Sequence, residues 1–186
     1  MQHKEFNLSI EQYLSKLIDF IQVRLASPEW EDCVEVIIST KNEKKYVQAV
    51  NVKIKDRRFK HYEDSDYTIK IVENPIVKTK NTITVNKYSY EIKSVTNPDD
   101  FVRFDYYPYS DFPHFHINAD EKTWGNHLTY PDKTNINLEM LDCFIALEIF
   151  NAFVAHPKEH ILDMDNNQRY IPVSYTHLTL PTKRIV

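Results

Sequence analysis

The sequence predicts an α+β fold: an N-terminal helix, an antiparallel β-meander of about six strands, and a buried C-terminal helix packed on the sheet. Three observations carry this expectation. Apolar side chains recur at helical spacing near the N-terminus, the middle of the chain alternates apolar and polar residues in runs joined by short polar links, and residues from about 137 to 155 are apolar almost all round a helix. A run of strands bracketed by helices, rather than strand and helix in turn, argues for an antiparallel sheet in one α+β domain spanning 1–172. No internal repeat or linker interrupts it.

The first helix opens at Ser9-Ile10-Glu11-Gln12, a capping box in which serine hydroxyl and glutamine side chain satisfy each other's backbone amides. Ile10, Tyr13, Leu14, Leu17, Ile18, Ile21 and Leu25 then share one face, and Ser27-Pro28 ends the helix. Strands are expected over Cys33 to Thr40, Lys45 to Phe59 after a turn at 41–44, and Tyr67 to Glu73. Ile83 to Val85 and Tyr88 to Val95 read as a hairpin around Asn86-Lys87. Phe101 to Tyr107 and Pro113 to Asn118 complete the set. The last helix is expected from Asn137 to Ala155, closed by His156-Pro157.

The chain of 186 residues has one glycine, Gly125, and nine prolines. Ordinary usage, roughly 7%, would supply about 13 glycines. Walker and dinucleotide phosphate loops, a G-x-S-x-G nucleophile elbow, a kinase glycine loop and an EF-hand loop all need glycines this chain lacks. No nucleotide cofactor is therefore expected. Gly125 falls in Trp124-Gly125-Asn126-His127, where a positive φ at the glycine would help to place His127.

Apolar runs are broken by acids within a few positions, and the first residues lack a secretory core, so a cytoplasmic protein away from membranes is expected. Cys33 and Cys143 stand alone in apolar runs, as buried thiols in a reducing compartment do. Residues 173–186, VSYTHLTLPTKRIV, resemble a translated sequencing-adapter tail and are set apart as non-native or disordered. Without Lys183 and Arg184 the net charge would move from −4 to −6, and the natural C-terminus would be missing.

Chemistry concentrates between Phe101 and Tyr130, which hold nine of the chain's 24 aromatic residues together with His114, His116 and His127. Arg103 and Asp105, two apart on a strand, share one face, with Phe104 and Tyr106 on the other. His114 and His116 likewise share a face, with Phe115 and Ile117 turned to the core. Two imidazoles so placed are roughly 6–7 Å apart at their Cα atoms, close enough for one divalent metal or one phosphate. A metal would need a further ligand, for which Asp105, Asp111, Asp120 and His127 are candidates. Without metal the histidines could serve as acid and base in phosphodiester cleavage. The plain alternative is a pair of half-exposed or satisfied strand histidines and a surface Arg–Asp pair. His156 and His160 suit the dipole at the end of the last helix.

Residues 41 to 60 carry eight basic residues against Glu43 and Asp56, a local charge of +6 in an otherwise acidic chain. Lys53, Lys55 and Arg57 line one strand face and could follow a phosphate backbone. Lysines guarding an outer strand against edge-to-edge pairing would look the same. Tyr106, Tyr107 and Tyr109, if exposed, could stack on unpaired bases and favour RNA; packed strand aromatics are the alternative.

Arg103-Phe104-Asp105 followed by Pro113-His114-Phe115-His116 and a buried helix resembles the closing part of the TumE-like proteins, over about residues 101–155. An uncharacterised family with a D-Y-x-P stretch before an S-H-x-H motif is about as similar. This chain differs in its longer N-terminal helix and in the insertion from Ala119 to Tyr130. The TumE-like resemblance implies the toxin half of a bacterial toxin–antitoxin pair; with the shared strand face, the aromatic density and the basic strand, the expectation is a toxin–antitoxin or phage-defence component acting on RNA, with an antitoxin or other protein partner. It carries over to Arg103, Asp105, His114 and His116 alone. In that reading the histidines act as acid–base groups or metal ligands, Arg103 counters phosphate charge and Asp105 orients a histidine. A second reading is a non-catalytic binding or adaptor module whose aromatic segment 101–130 forms a protein interface.

Overall fold

The capping box forms as expected. The Ser9 amide donates to Gln12 Oε1 at 2.9 Å and the Gln12 amide donates to Ser9 Oγ at 3.2 Å. It starts helix α1, Ile10–Val23, whose Tyr13, Leu17, Phe20 and Ile21 are buried. The computed structural model describes residues 4–23, 25, 30–57, 67–107, 113–117, 127–129, 136–138 and 141–155, with the side chains of 56, 57 and 151–155 outside the description. The segment 173–186, His156 and His160 lie outside the described residues.

Six strands follow one another across an antiparallel sheet in sequence order: β2 (Val34–Lys41), β3 (Lys44–Arg57), β4 (Tyr67–Thr79), β5 (Thr82–Ser94), β6 (Phe101–Tyr106) and β7 (His114–Ile117). A short leading strand, β1 (Lys4–Phe6), was not expected from the sequence. It occupies the part of the β5 edge, Ile83 to Val85, that β6 leaves open by pairing only with Tyr88 to Lys93. Between β2 and β3, Asn42 and Glu43 both take positive φ, 50° and 62°, as a two-residue hairpin turn of the right twist demands.

The expected hairpin at Asn86-Lys87 is corrected. β5 runs unbroken from Thr82 to Ser94, and β4 turns into it at Lys80-Asn81. In the ladder Glu73 faces Tyr88 and Pro75 faces Val85, so Asn74 alone opposes Asn86 and Lys87. That is a β-bulge, one of the few places where an interior strand accepts a proline. A polar pair inside an apolar run marks a bulge here, where the sequence suggested a turn.

The last helix, α2, runs over Cys143–Ala155 and starts later than the expected Asn137. Asp142 Oδ1 accepts the Ile145 amide at 2.8 Å and so caps it, a local bond that ends the helical pattern on its N-terminal side. Leu138 and Leu141 are buried all the same.

Both helices cover one face of the sheet. Val50, Val52, Ile54, Ile69, Ile71, Tyr88, Tyr90, Ile92, Val102, Phe104, Tyr106, Phe115 and Ile117 point inward and join α1 and α2 in a single core. Phe144 of α2 meets Tyr13 and Phe20 of α1 edge-on, with ring centroids 6.0 and 5.6 Å apart. Glu73 sits within this core, accepting the Tyr13 hydroxyl and, at 2.5 Å, the Tyr90 hydroxyl. Burial pushes its carboxyl above the usual range, against the pull of the two phenols. Cys33 and Cys143 are both buried. No helix among the described residues is long and apolar enough to cross a membrane.

Candidate metal centre

The opposite face of the sheet is polar, as one face of an antiparallel sheet can be. Its residues fall into transverse rows. Lys53 pairs with Val72, Val72 with Ser89, Ser89 with Asp105, and Asp105 with His114. In the next row Lys70 pairs with Glu91, Glu91 with Arg103, and Arg103 with His116. The expected division of faces therefore holds on β6 and β7, because period-two alternation leaves no other choice once Phe104 and Phe115 are buried.

A third imidazole joins this end of the face. Leu128 forms an isolated antiparallel bridge with Phe115, through N–H to O distances of 3.0 and 2.9 Å. Antiparallel register then sets position 127 opposite His116. His127 itself takes φ 55°, a left-handed conformation unusual for a residue with a side chain and one that tends to collect at functional sites. Gly125, where a positive φ was expected, lies outside the described residues, as do Asp111 and Asp120.

The three rings form a cluster. His114 and His127 have centroids 4.4 Å apart, His114 and His116 5.0 Å, and His116 and His127 5.1 Å. One nitrogen from each lies within 4.8 Å of the others. Bonds of 2.0–2.1 Å in a tetrahedral site would set nitrogens about 3.4 Å apart, so small rotations of the rings would close them on one ion. His114 is 2% exposed and the other two are half-buried.

Asp105 stands beside the imidazoles and is already engaged. Its Oδ1 accepts the Ser89 hydroxyl at 2.7 Å and its Oδ2 accepts Arg103 Nε at 2.5 Å. The same Oδ2 is 3.9 Å from His116 Nε2, too far for a hydrogen bond. Asp105 thus anchors Arg103 and lends charge to His116 without binding its ring. Burial pushes the His116 imidazole down to about 4, helped by the charge of Arg103 and by His114. A neutral imidazole is the form that binds metal. Ser89, missed in the sequence, had a usable signal: it occupies the outward slot of a strand whose inward slots are Tyr88, Tyr90 and Ile92.

The remaining site residues are distributed as follows. Lys53 and Lys55 are exposed on the polar face, four strands from His114. β2 pairs with β3 only as far as Val52, the Lys53 amide then donates to the Cys33 carbonyl, and Lys55 lies past the end of that ladder, so edge protection remains open there. Arg57 pairs with Ile69 through its backbone, and its side chain lies outside the described residues. Tyr107 is 44% exposed, whereas Tyr106 is buried in the core and so unable to stack on a base. Tyr109 is outside the described residues.

Compared with known protein families, curated proteins and solved structures, the chain matches none.

Proposed function

We propose that the protein is a divalent-metal-dependent phosphodiester hydrolase acting on RNA, with His114, His116 and His127 as the metal ligands. The observation that carries this reading is the convergence of three imidazole nitrogens at one end of the sheet face. Three histidines with an open fourth position are the donor set of catalytic zinc, and imidazole also suits several neighbouring transition metals. Such an ion polarises a phosphoryl oxygen and lowers the pKa of its bound water towards neutrality.

The chain's own residues fit around that chemistry. Arg103, with its side chain 38% exposed and held by Asp105, supplies a fixed positive charge next to His116 for a phosphate oxygen. Asp105 and Ser89 hold that arginine in place. The metal-free alternative, a pair of histidines as acid and base, is less well supported. Efficient acid–base catalysis wants groups that titrate near the working pH, and His116 is held far below it.

The cellular setting implied by the TumE-like resemblance, a toxin paired with an antitoxin or a phage-defence component, belongs to the same proposal. Purified protein dialysed against zinc should retain one ion per chain, and His114→Ala or His127→Ala should not. RNA degradation and growth arrest on expression should follow the metal. Failure to take up stoichiometric metal would sink this reading.

A second reading, a non-catalytic binding module, draws on β2. Among the described residues this strand lies at the edge of the sheet and exposes Val36, Ile37 and Ile38, with Tyr46 of β3 nearby, a place where an incoming strand could add. Among the described aromatics of segment 101–130, Phe104, Tyr106 and Phe115 are spent in the core and Tyr107 is exposed. A partner that co-purifies and still binds after histidine substitution would favour it.

A further inference from the structure

We propose that the polar face of the sheet is a track for single-stranded RNA, which lies across the strands from Lys53 and Lys55 on β3 to the imidazoles at β7. This rests on the reading of the histidine cluster as a centre for RNA. It adds a substrate form, a direction of approach and residues that the cluster alone does not imply.

The rows of the sheet define the path. Lys53, Val72, Ser89, Asp105 and His114 are successive register partners, and neighbouring strands are about 4.8 Å apart, so the row extends about 19 Å. Lys70, Glu91, Arg103 and His116 form the second row, and Lys93 with Phe101 the third. Over these rows and Lys55 there are five cations, Lys53, Lys55, Lys70, Lys93 and Arg103, against the acids Glu91 and Asp105. Glu35 follows only beyond Asn51, which it accepts as a hydrogen-bond donor at 2.9 Å. A net positive face on a chain of net charge −4 is charge complementarity to a polyanion.

Two features select a single strand. Arg103 lies over the ring of Phe101, 6.0 Å from its centroid, one row from the imidazoles. A guanidinium stacked on an aromatic ring is a platform on which an unpaired base can continue the stack. His114 is recessed, so a phosphodiester must bend inward to reach the cluster, which a flexible strand does more readily than a duplex.

The experiment uses the full chain and a labelled single-stranded RNA 12-mer, its duplex, a dinucleotide, poly-glutamate as competitor, and bis(p-nitrophenyl) phosphate as a small phosphodiester. Lys53→Glu/Lys55→Glu should weaken 12-mer binding at least tenfold and flatten the salt dependence by about 0.7 per lost phosphate contact. Dinucleotide binding, zinc uptake and hydrolysis of the small phosphodiester should stay at wild-type levels. Phe101→Ala should weaken the 12-mer with no change in the salt slope. Equal 12-mer binding by wild type and the lysine variant overturns the track. Preference for the duplex, or displacement by poly-glutamate at equal concentration, overturns it too. Unaltered hydrolysis with no lysine effect removes the track and leaves the metal centre; lysine-dependent binding without any hydrolysis removes the hydrolase and leaves the track.

Discussion

Asp105 and His114 are direct partners across β6 and β7, and both are nearly sealed from solvent, at 7% and 2% exposure. A buried carboxylate next to a buried imidazole is tolerable only when the carboxylate's charge is answered, and Ser89 and Arg103 answer it. Hydrogen-bonded supports of ligands typically govern metal affinity by 10–100-fold, and Asp105, which reaches His116 by charge across 3.9 Å, belongs at the lower end of that range. Asp105→Ala should therefore lower zinc affinity by about that factor, measured by competition with a chelating dye. Ser89→Ala should have a smaller effect in the same direction. Unchanged affinity in both would reduce Asp105 to an anchor for Arg103.

The histidine cluster gives the metal-free protein an acid-side weakness. His116 titrates at about 4 in the folded chain and near 6.5 when unfolded. Between those values the unfolded chain binds the proton and the folded one does not. Its stabilising contribution is complete above about pH 6.5 and is lost as pH falls towards 4. The melting temperature of the metal-free protein should decline over that window, and His116→Gln should decline less. Parallel curves for the two proteins would contradict the assignment.

Glu73 makes a separate prediction about the core. It accepts hydroxyl bonds from Tyr13 of α1 and Tyr90 of β5, so removing it leaves two buried donors unsatisfied. Glu73→Leu should cost about 2–5 kcal/mol in urea unfolding. Adding Tyr13→Phe and Tyr90→Phe to that variant should recover much of the loss, since only the weakly polar Cys143 thiol then loses its bond to the carboxyl. A triple variant no better than the single one would mean that the carboxyl is held mainly by other groups.

The capping box is the simplest test of local structure. Ser9→Ala removes the acceptor for the Gln12 amide and should cost about 1 kcal/mol. Ser9→Asp should retain most of the stability, because a carboxylate accepts the same bond at the positive end of the helix. Chemical denaturation of the three proteins decides it.

What the sequence could tell depended on whether the controlling interaction was local. The capping box and the pairing of Arg103 with Asp105 and of His114 with His116 were legible, because each follows from spacing within one element. The arrival of His127 was not, since it needs the Phe115–Leu128 bridge and a left-handed backbone at a non-glycine residue. Glu73 was overlooked although it left a trace. It occupies the inward slot after Ile69 and Ile71, where a charge requires partners, and those partners come from α1 and β5. The start of α2 moved to Cys143 because the Asp142 cap outweighed the apolar pattern before it.

The bulge at Asn86-Lys87 reaches further than its own turn of chain. Before it, the inward residues of β5 carry odd numbers, Ile83 and Val85; after it they carry even ones, Tyr88, Tyr90 and Ile92. The spare residue acts as a phase shift, and everything downstream on the strand is read in the new frame. Only in that frame does Ser89 come to lie beside Asp105, and Tyr90 reach Glu73. Residues 86 and 87 can thus vary in chemistry while their number is fixed. Losing one of them would turn two tyrosines out to solvent and draw a serine and a glutamate into the core, with none of the histidines touched.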